Sequence, residues 1–348
     1  MADDIHQAAI AHVNRAWDWF AGMVALSATN LGVELGMFEL LRTAGALTPD
    51  EIAGQLDLVA RAVDLWTKTL VHYELLVDAG DGQVAMAPGL ELMVCEPVTL
   101  FNLQPSLTYH ARFLARDFLD LADFFRDGVP RPPARHGAAL SENVGRQTAM
   151  MHAVFVEAIL PGLPEVVEML LRGCRVLDAG CGNGDLGILL CRDFPMAGYT
   201  GYDLDEYAIQ AGQATIGERA LSDRVELVLG NVADLAAGPP AFDLAFLFLS
   251  LHEIPVTQRP AVAAAIRAAL RPGGILLVLD ETYPETLAEA ATRESRMGLH
   301  FEYSEILWGS QVPTRAEVHE LLDGAGFTGI ERLAMLGGSF EVVVARTE

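Results

Sequence analysis

Apolar positions near the start of the chain fall at helical spacing: Trp17, Phe20, Val24, then Leu31, Leu35, Phe38 and Leu41. The spacing predicts helix from about Ile5 to Leu41. Much of it is apolar all round, which predicts burial against another chain as well as a core. Thr48-Pro49-Asp50-Glu51 predicts a helix start, with Thr48 as cap, Pro49 at the first position and Glu51 in capping-box register. That helix runs to Leu56 and a second runs from Ala60 to Leu76. Asp78 to Met86 then reads as a small turn with a strand beyond it. Helix, helix and hairpin make a winged-helix pattern.

Residues 96–145 carry a weaker pattern. Phe113 to Phe125 has helical spacing, and Arg126-Asp-Gly-Val-Pro-Arg-Pro-Pro reads as a loop. Helical spacing returns from Arg146 to Leu171. From Arg175 the alternation becomes regular. Strands are predicted near 175–179, 198–203, 225–230, 242–250 and 274–280, with helical segments between them. A last helix, Arg315 to Ala325, precedes two strands near 327–334 and 339–346. This alternation predicts an α/β, doubly wound sheet that takes its ligands at the carboxyl ends of the strands.

Composition narrows the class. A chain of 348 residues with 51% hydrophobic and 20% charged positions has material for one large or two ordinary cores, and disorder is not expected. A net charge of −24 disfavours a nucleic-acid duplex or an anionic membrane as partner. Lys68 is the only lysine and the arginines are scattered, so no basic patch offsets that charge. The winged pattern invites DNA binding, but its second helix carries Arg61, Asp64, Lys68 and Glu74, a mixed face. Cys95, Cys174, Cys181 and Cys191 form no C-x-x-C pair and read as buried thiols in a reducing compartment. The first residues lack a basic and then apolar leader, and no apolar run approaches the roughly 18 residues of a membrane span. A cytoplasmic protein is expected.

The chemistry centres on Arg175-Val-Leu-Asp178-Ala-Gly180-Cys-Gly182-Asn-Gly184-Asp185. A short apolar run breaks into alternate glycines and continues into a helical pattern. Glycine permits the turn and lets a ligand touch backbone, and the free N–H groups of the following helix add a positive end. The pattern is G-x-G-x-G, with Asp185 where a dinucleotide fingerprint has its third glycine. The next strand ends in Asp203, placed to grip two ribose hydroxyls. The strand after that closes on Asn231, an amide able to bond an adenine edge.

The runs DAGCGNG, GYDLD, GNVAD and the RPGG of Arg271 to Gly274 resemble the class I S-adenosylmethionine-dependent methyltransferases. That resemblance implies a Rossmann-like domain with an antiparallel last strand and S-adenosylmethionine as cofactor, leaving as S-adenosylhomocysteine. It implies that Asp178, Gly180 and Gly182 face the cofactor, that Asp203 holds the ribose with Leu204 beside the adenine, and that Asn231 and Val232 flank the ring. A methionine of the helix after Arg146 lies near the transferred methyl in the family; Met150 or Met151 matches it, although a core-filling methionine is the plainer reading. The run GVELGMFELL…LTPDEIAGQL is similar to the plant caffeate-type and bacterial natural-product O-methyltransferases. This implies a homodimer built on the N-terminal domain. The expected division is 1–95 for a winged-helix dimerisation domain, 96–170 for a helical connector and acceptor pocket, and 171–348 for the cofactor-binding domain.

Methyl transfer from a sulfonium is a direct displacement, and a phenol must lose a proton as it attacks. The fourth strand delivers His252 and Glu253 to the carboxyl edge, and histidine suits proton removal near neutrality. The resemblance implies His252 as base, oriented by Asp280, with Glu253 as a second acid. The family's third acidic residue falls at Val312, beside Gln311, which cannot act as a carboxylate. The expected reaction is O-methylation of a small phenolic metabolite. A smaller branch of the fold methylates carbon beside the keto group of α-keto acids with a bound metal; here His300, Glu302 and Glu305 lie in the corresponding segment, and His252 with Glu305 would hold the ion. A regulator that binds the cofactor without chemistry is the alternative of another class.

Overall fold

The computed structural model describes residues 2–97, 99, 101–235, 239–335 and 338–348. The chain forms two compact units, 1–115 and 116–348, so the expected connector 96–170 is divided between them.

In the first unit α1 spans Ala2–Glu34 and α2 spans Met37–Ala44. The single helix expected to Leu41 is broken because Gly36 turns left-handed, with φ of 70°. Gly32 explains the packing just before that break: a β-carbon there would meet the Phe38 ring at 2.4 Å. The Trp66 indole closes the same contact by donating to the Ala28 carbonyl at 2.9 Å. The capping box forms as read, with the Thr48 hydroxyl and the Glu51 carboxylate each satisfying the other's backbone N–H, and α3 runs Pro49–Gln55. The next helix, α4, spans Ala60–His72. It stops short of Leu76 because the chain turns at Glu74, whose φ is 60°. Strands β1 (Leu76–Gly80) and β2 (Gln83–Met86) then pair antiparallel.

The second unit holds a seven-stranded sheet in the order β5-β4-β3-β6-β7-β9-β8. Its strands are β3 (Arg175–Ala179), β4 (Gly198–Asp203), β5 (Val225–Leu229), β6 (Phe242–Phe248), β7 (Leu270–Glu281), β8 (Thr328–Met335) and β9 (Phe340–Arg346). The first five are mutually parallel, and β9 runs antiparallel between β7 and β8. Alternate residues feed two separate cores. Val176, Leu244, Phe246 and Leu277 face one, whereas Leu177, Ala245, Leu247 and Val278 face the other. A sheet buried on both faces explains the nearly continuous apolar runs. The helical stretch read from Arg146 is not one helix. Ala138–Val154 is α-helix, Phe155–Ile159 widens to a π-turn, and Pro164–Arg172 is a new helix begun by its proline. Phe113 to Phe125 likewise breaks between Asp117 and Leu121. Among the described residues, no single helix is long and apolar enough to cross a membrane.

Candidate active site

The chain lays down β3, β4 and β5 on one side, then returns to place β6 and β7 on the other. The order therefore reverses between β3 and β6, and a crevice opens at their carboxyl ends. A cavity of about 750 Å3 fills that place. Its walls include Gly180 and Gly182 after β3, Asp203 and Leu204 after β4, Gly230 after β5 and Glu253 after β6. His152, Phe248, Glu305 and Trp308 also contribute.

Local chemistry sets the glycine turn. Gly180 adopts φ of 82°, and a β-carbon there would sit 2.5 Å from Ser250, whose hydroxyl donates to the Ala179 carbonyl. The Gly182 N–H donates to Asp203 Oδ2 at 2.6 Å, and the Asp205 N–H donates to Asp203 Oδ1 at 2.8 Å. These bonds fix one carboxylate beside the turn while leaving further lone pairs on each oxygen. Burial raises the Asp203 pKa, opposed by those backbone donors. Gly212 brings its helix onto the turn, because any β-carbon would lie 2.2 Å from the Asn183 carbonyl.

Several residues expected at the cofactor do not line this cavity. Asp178 is buried under the cavity floor, where it accepts the Tyr199 hydroxyl, so it does not line the cavity. The strand's alternation is the reason: a residue preceding the turn by two points into the core layer. Asn231 spends its side chain on the Ala233 N–H, capping a short helical turn, and Val232 is buried in the core; their neighbours Leu229 and Gly230 form the wall instead. Met150 packs against the core and Met151 is buried in it. The same helix presents Thr148 and His152 to the cavity.

His252 and Asp280 do come together. His252 Nδ1 lies 2.5 Å from Asp280 Oδ1, and its backbone N–H donates to Asp280 Oδ2 at 3.1 Å. Both side chains are buried. The second acid against His252 is Glu281, with Oε2 3.3 Å from Nδ1; Glu253 instead faces the cavity. Burial alone would lower the His252 pKa, but Asp280 and then Glu281 outweigh it and hold the ring well above its ordinary value. Glu281 is pushed well up by burial and by the charge of Asp280. Desolvation pushes the Glu253 pKa up, an effect its exposure to solvent limits. Ligand atoms of His252, Asp280 and Glu281 all lie within 4.8 Å of one another. Among the described residues, that trio is the group of three such side chains close enough to hold a cation, and Glu305 is not part of it.

Glu305 is buried at the cavity wall and accepts the Ser310 hydroxyl at 2.8 Å. Glu302 accepts the Val312 N–H at 2.7 Å, and burial raises its pKa to about 7. A carboxylate from the preceding helix thus reaches the place where Val312 itself has none. His300 joins neither the cavity wall nor the trio. The tandem Asp280-Glu281 was visible in the sequence as two acids ending one strand. His152 gave a weaker signal, one histidine in an otherwise apolar helical run.

Residues 176–274 match the family profile described as a methyltransferase domain. Over 174 residues the chain is 31% identical to an uncharacterized methyltransferase of Synechocystis sp., covering 50% of this chain and 76% of that protein. The chain belongs to the class I S-adenosylmethionine-dependent methyltransferases. Among solved structures, this methyltransferase resembles human N-acetylserotonin methyltransferase in complex with S-adenosylmethionine, with TM-score 0.79, 19% identity and 97% of each chain covered. It also resembles mitomycin 7-O-methyltransferase, with TM-score 0.77 and 19% identity over 99% of this chain and 100% of that one. At such identities these likenesses establish the fold.

Proposed function

We propose that this methyltransferase transfers the methyl of S-adenosylmethionine to the hydroxyl of a small aromatic metabolite, with His252 taking the hydroxyl proton. The observation that carries this reading is the buried His252–Asp280 pair after β6 and at the end of β7; neither residue is part of the cavity wall, but Glu253, next to His252, lines it together with the glycine turn and Asp203. Asp203 is the ribose ligand in this reading, Gly180 and Gly182 meet the amino-acid part, and Leu204 covers the adenine. A sulfonium cation gains from the acids around this crevice. The overall likeness to mitomycin 7-O-methyltransferase supports oxygen as the accepting atom.

The His252, Asp280 and Glu281 trio favours a second reading, metal-assisted methylation of carbon, in which an ion on those ligands would stabilise an enolate. One experiment separates the two. Purified protein is given S-adenosylmethionine and phenols, catechols or α-keto acids, with and without chelator, and products are located by mass spectrometry. The expected result is methyl on oxygen, unaffected by chelator. Methyl on carbon, lost with chelator, would replace the first reading by the second.

We also propose a homodimer built on α1 and the winged-helix pattern of the first unit. Trp17, Trp19 and Phe20 are each more than half exposed on α1, and Ile5, Ile10 and Met23 join them. An apolar surface of that extent marks an interaction site. Light scattering should give twice the chain mass of 37.5 kDa. A variant carrying Trp17→Glu, Phe20→Glu and Met23→Glu should run as the monomer. A monomeric wild type would end the proposal.

A further inference from the structure

The cavity contains a group that the reaction above does not use. His152 is 6% exposed, lines the cavity, and has no hydrogen-bond partner at Nδ1. Leaving a buried polar nitrogen unpaired costs about 1–3 kcal/mol, and such atoms normally have a partner. The ring forms part of the cavity wall, with Nδ1 enclosed behind that wall. Phe248, another wall residue, stands 4.7 Å from the imidazole between centroids, so the ring packs beside an aromatic surface. The helix widens into its π-turn three residues later, at Phe155. Such bulges recur at functional sites because they re-aim side chains.

Charge restricts what can sit there. Among the described residues, no lysine or arginine lines the cavity, whereas Asp203, Asp205, Glu206, Glu253 and Glu305 do. Burial lowers the His152 pKa to about 4, so the ring brings no positive charge at neutral pH. A carboxylate on the acceptor would meet these acids and a neutral imidazole, with no lysine or arginine on the wall to receive it.

We propose that Nδ1 of His152 binds a second, uncharged polar group of a neutral aromatic acceptor, and that the site rejects acceptors carrying a carboxylate. Nδ1 accepts from a hydroxyl in one tautomer and donates to a carbonyl in the other. His152 thereby sets which ring position faces the methyl, while proton removal stays with His252. The inference rests on the small-molecule methyl-transfer reading for its chemistry, but its binding test does not need turnover.

The experiment measures binding of catechol, phenol and salicylate to protein saturated with S-adenosylhomocysteine, by calorimetry, with turnover followed separately. Catechol should bind about tenfold more tightly than phenol, and salicylate more weakly than either. His152→Phe keeps ring volume and removes the nitrogen; it should erase the catechol advantage, bringing the catechol and phenol affinities of that variant to within about twofold of each other. His152→Gln, which retains a hydrogen-bonding group, should restore part of the advantage. In the wild type the Nδ1 nitrogen resonance of His152 should move with catechol and not with phenol, a readout independent of how either variant folds. Salicylate binding tightest, an unmoved Nδ1 resonance, or a catechol advantage that survives His152→Phe would each overturn the proposal. Methyl transfer without the catechol advantage defeats this inference alone; the advantage without transfer to any acceptor defeats the methyl-transfer reading alone.

Discussion

His252→Asn should lower kcat for methyl transfer roughly 100- to 10,000-fold, the usual contribution of a positioned general base, with S-adenosylhomocysteine affinity within about threefold of the wild type. Asparagine is the informative choice. Its amide can donate to Asp280 as the ring now does, so the buried acids keep a donor, yet it offers no basic nitrogen. The pH profile supplies a second signature. Asp280 and Glu281 hold the ring's pKa well above the ordinary histidine value against the opposing effect of burial, so the ring is charged below that point and cannot accept a proton. Activity in the wild type should therefore climb with pH through a limb above 6.5, the ordinary value. The limb should vanish in His252→Asn. Full activity in that variant would remove His252 from the chemistry and leave the His252, Asp280 and Glu281 group as a structural or metal-holding cluster.

Much of this site was legible because its signals are local. The glycine turn, Asp203 at the end of the next strand, and the strand that delivers His252 follow from spacing within one β-turn-α unit at a time. The fold was legible for the same reason: strands with both faces buried read as apolar runs, and their boundaries fell within a few residues. What escaped depended on direction and on distance along the chain. Asp178 sits in the motif, but strand alternation aims it into the core, where Tyr199 meets it. Asn231 caps its own helical turn. Glu302 serves the Val312 amide from ten positions earlier. His152 and Glu305 come from helices outside the alternating units, and no periodicity distinguishes a cavity-facing polar residue from one packed against a neighbour. The break at Gly36 was missed because a left-handed glycine can stand within an otherwise uninterrupted apolar pattern.

Asp178→Asn should change the pH dependence of stability without changing the chemistry. The carboxyl is buried, accepts the Tyr199 hydroxyl at one oxygen, and has no partner at the other. Burial raises its pKa from 3.8 to about 7, with Tyr199 opposing and Asp203 adding to the rise. The unfolded chain ionises this group near its ordinary value, whereas the folded protein must hold it protonated until about pH 7. The stability it contributes is thus fully present below 3.8 and is lost as pH rises through about 7. A shift of that size corresponds to about 4 kcal/mol, since one unit is about 1.4 kcal/mol. Asparagine does not ionise, so the wild type should lose about 4 kcal/mol relative to Asp178→Asn between pH 4 and pH 7.5. The amide nitrogen placed at the unpartnered oxygen costs roughly 1–3 kcal/mol at every pH. That offset leaves the slope unaffected, and the variant should be the more stable protein above neutrality. Denaturant unfolding at several pH values measures the difference directly, with other titrating groups cancelling between the two proteins. Affinity for S-adenosylmethionine should stay within about threefold, because Asp178 does not line the cavity. Parallel stability curves would show that the folded protein ionises Asp178 as readily as the unfolded chain does. A large loss of cofactor affinity would instead mean that the motif's acidic residue acts on the ligand through the turn it supports.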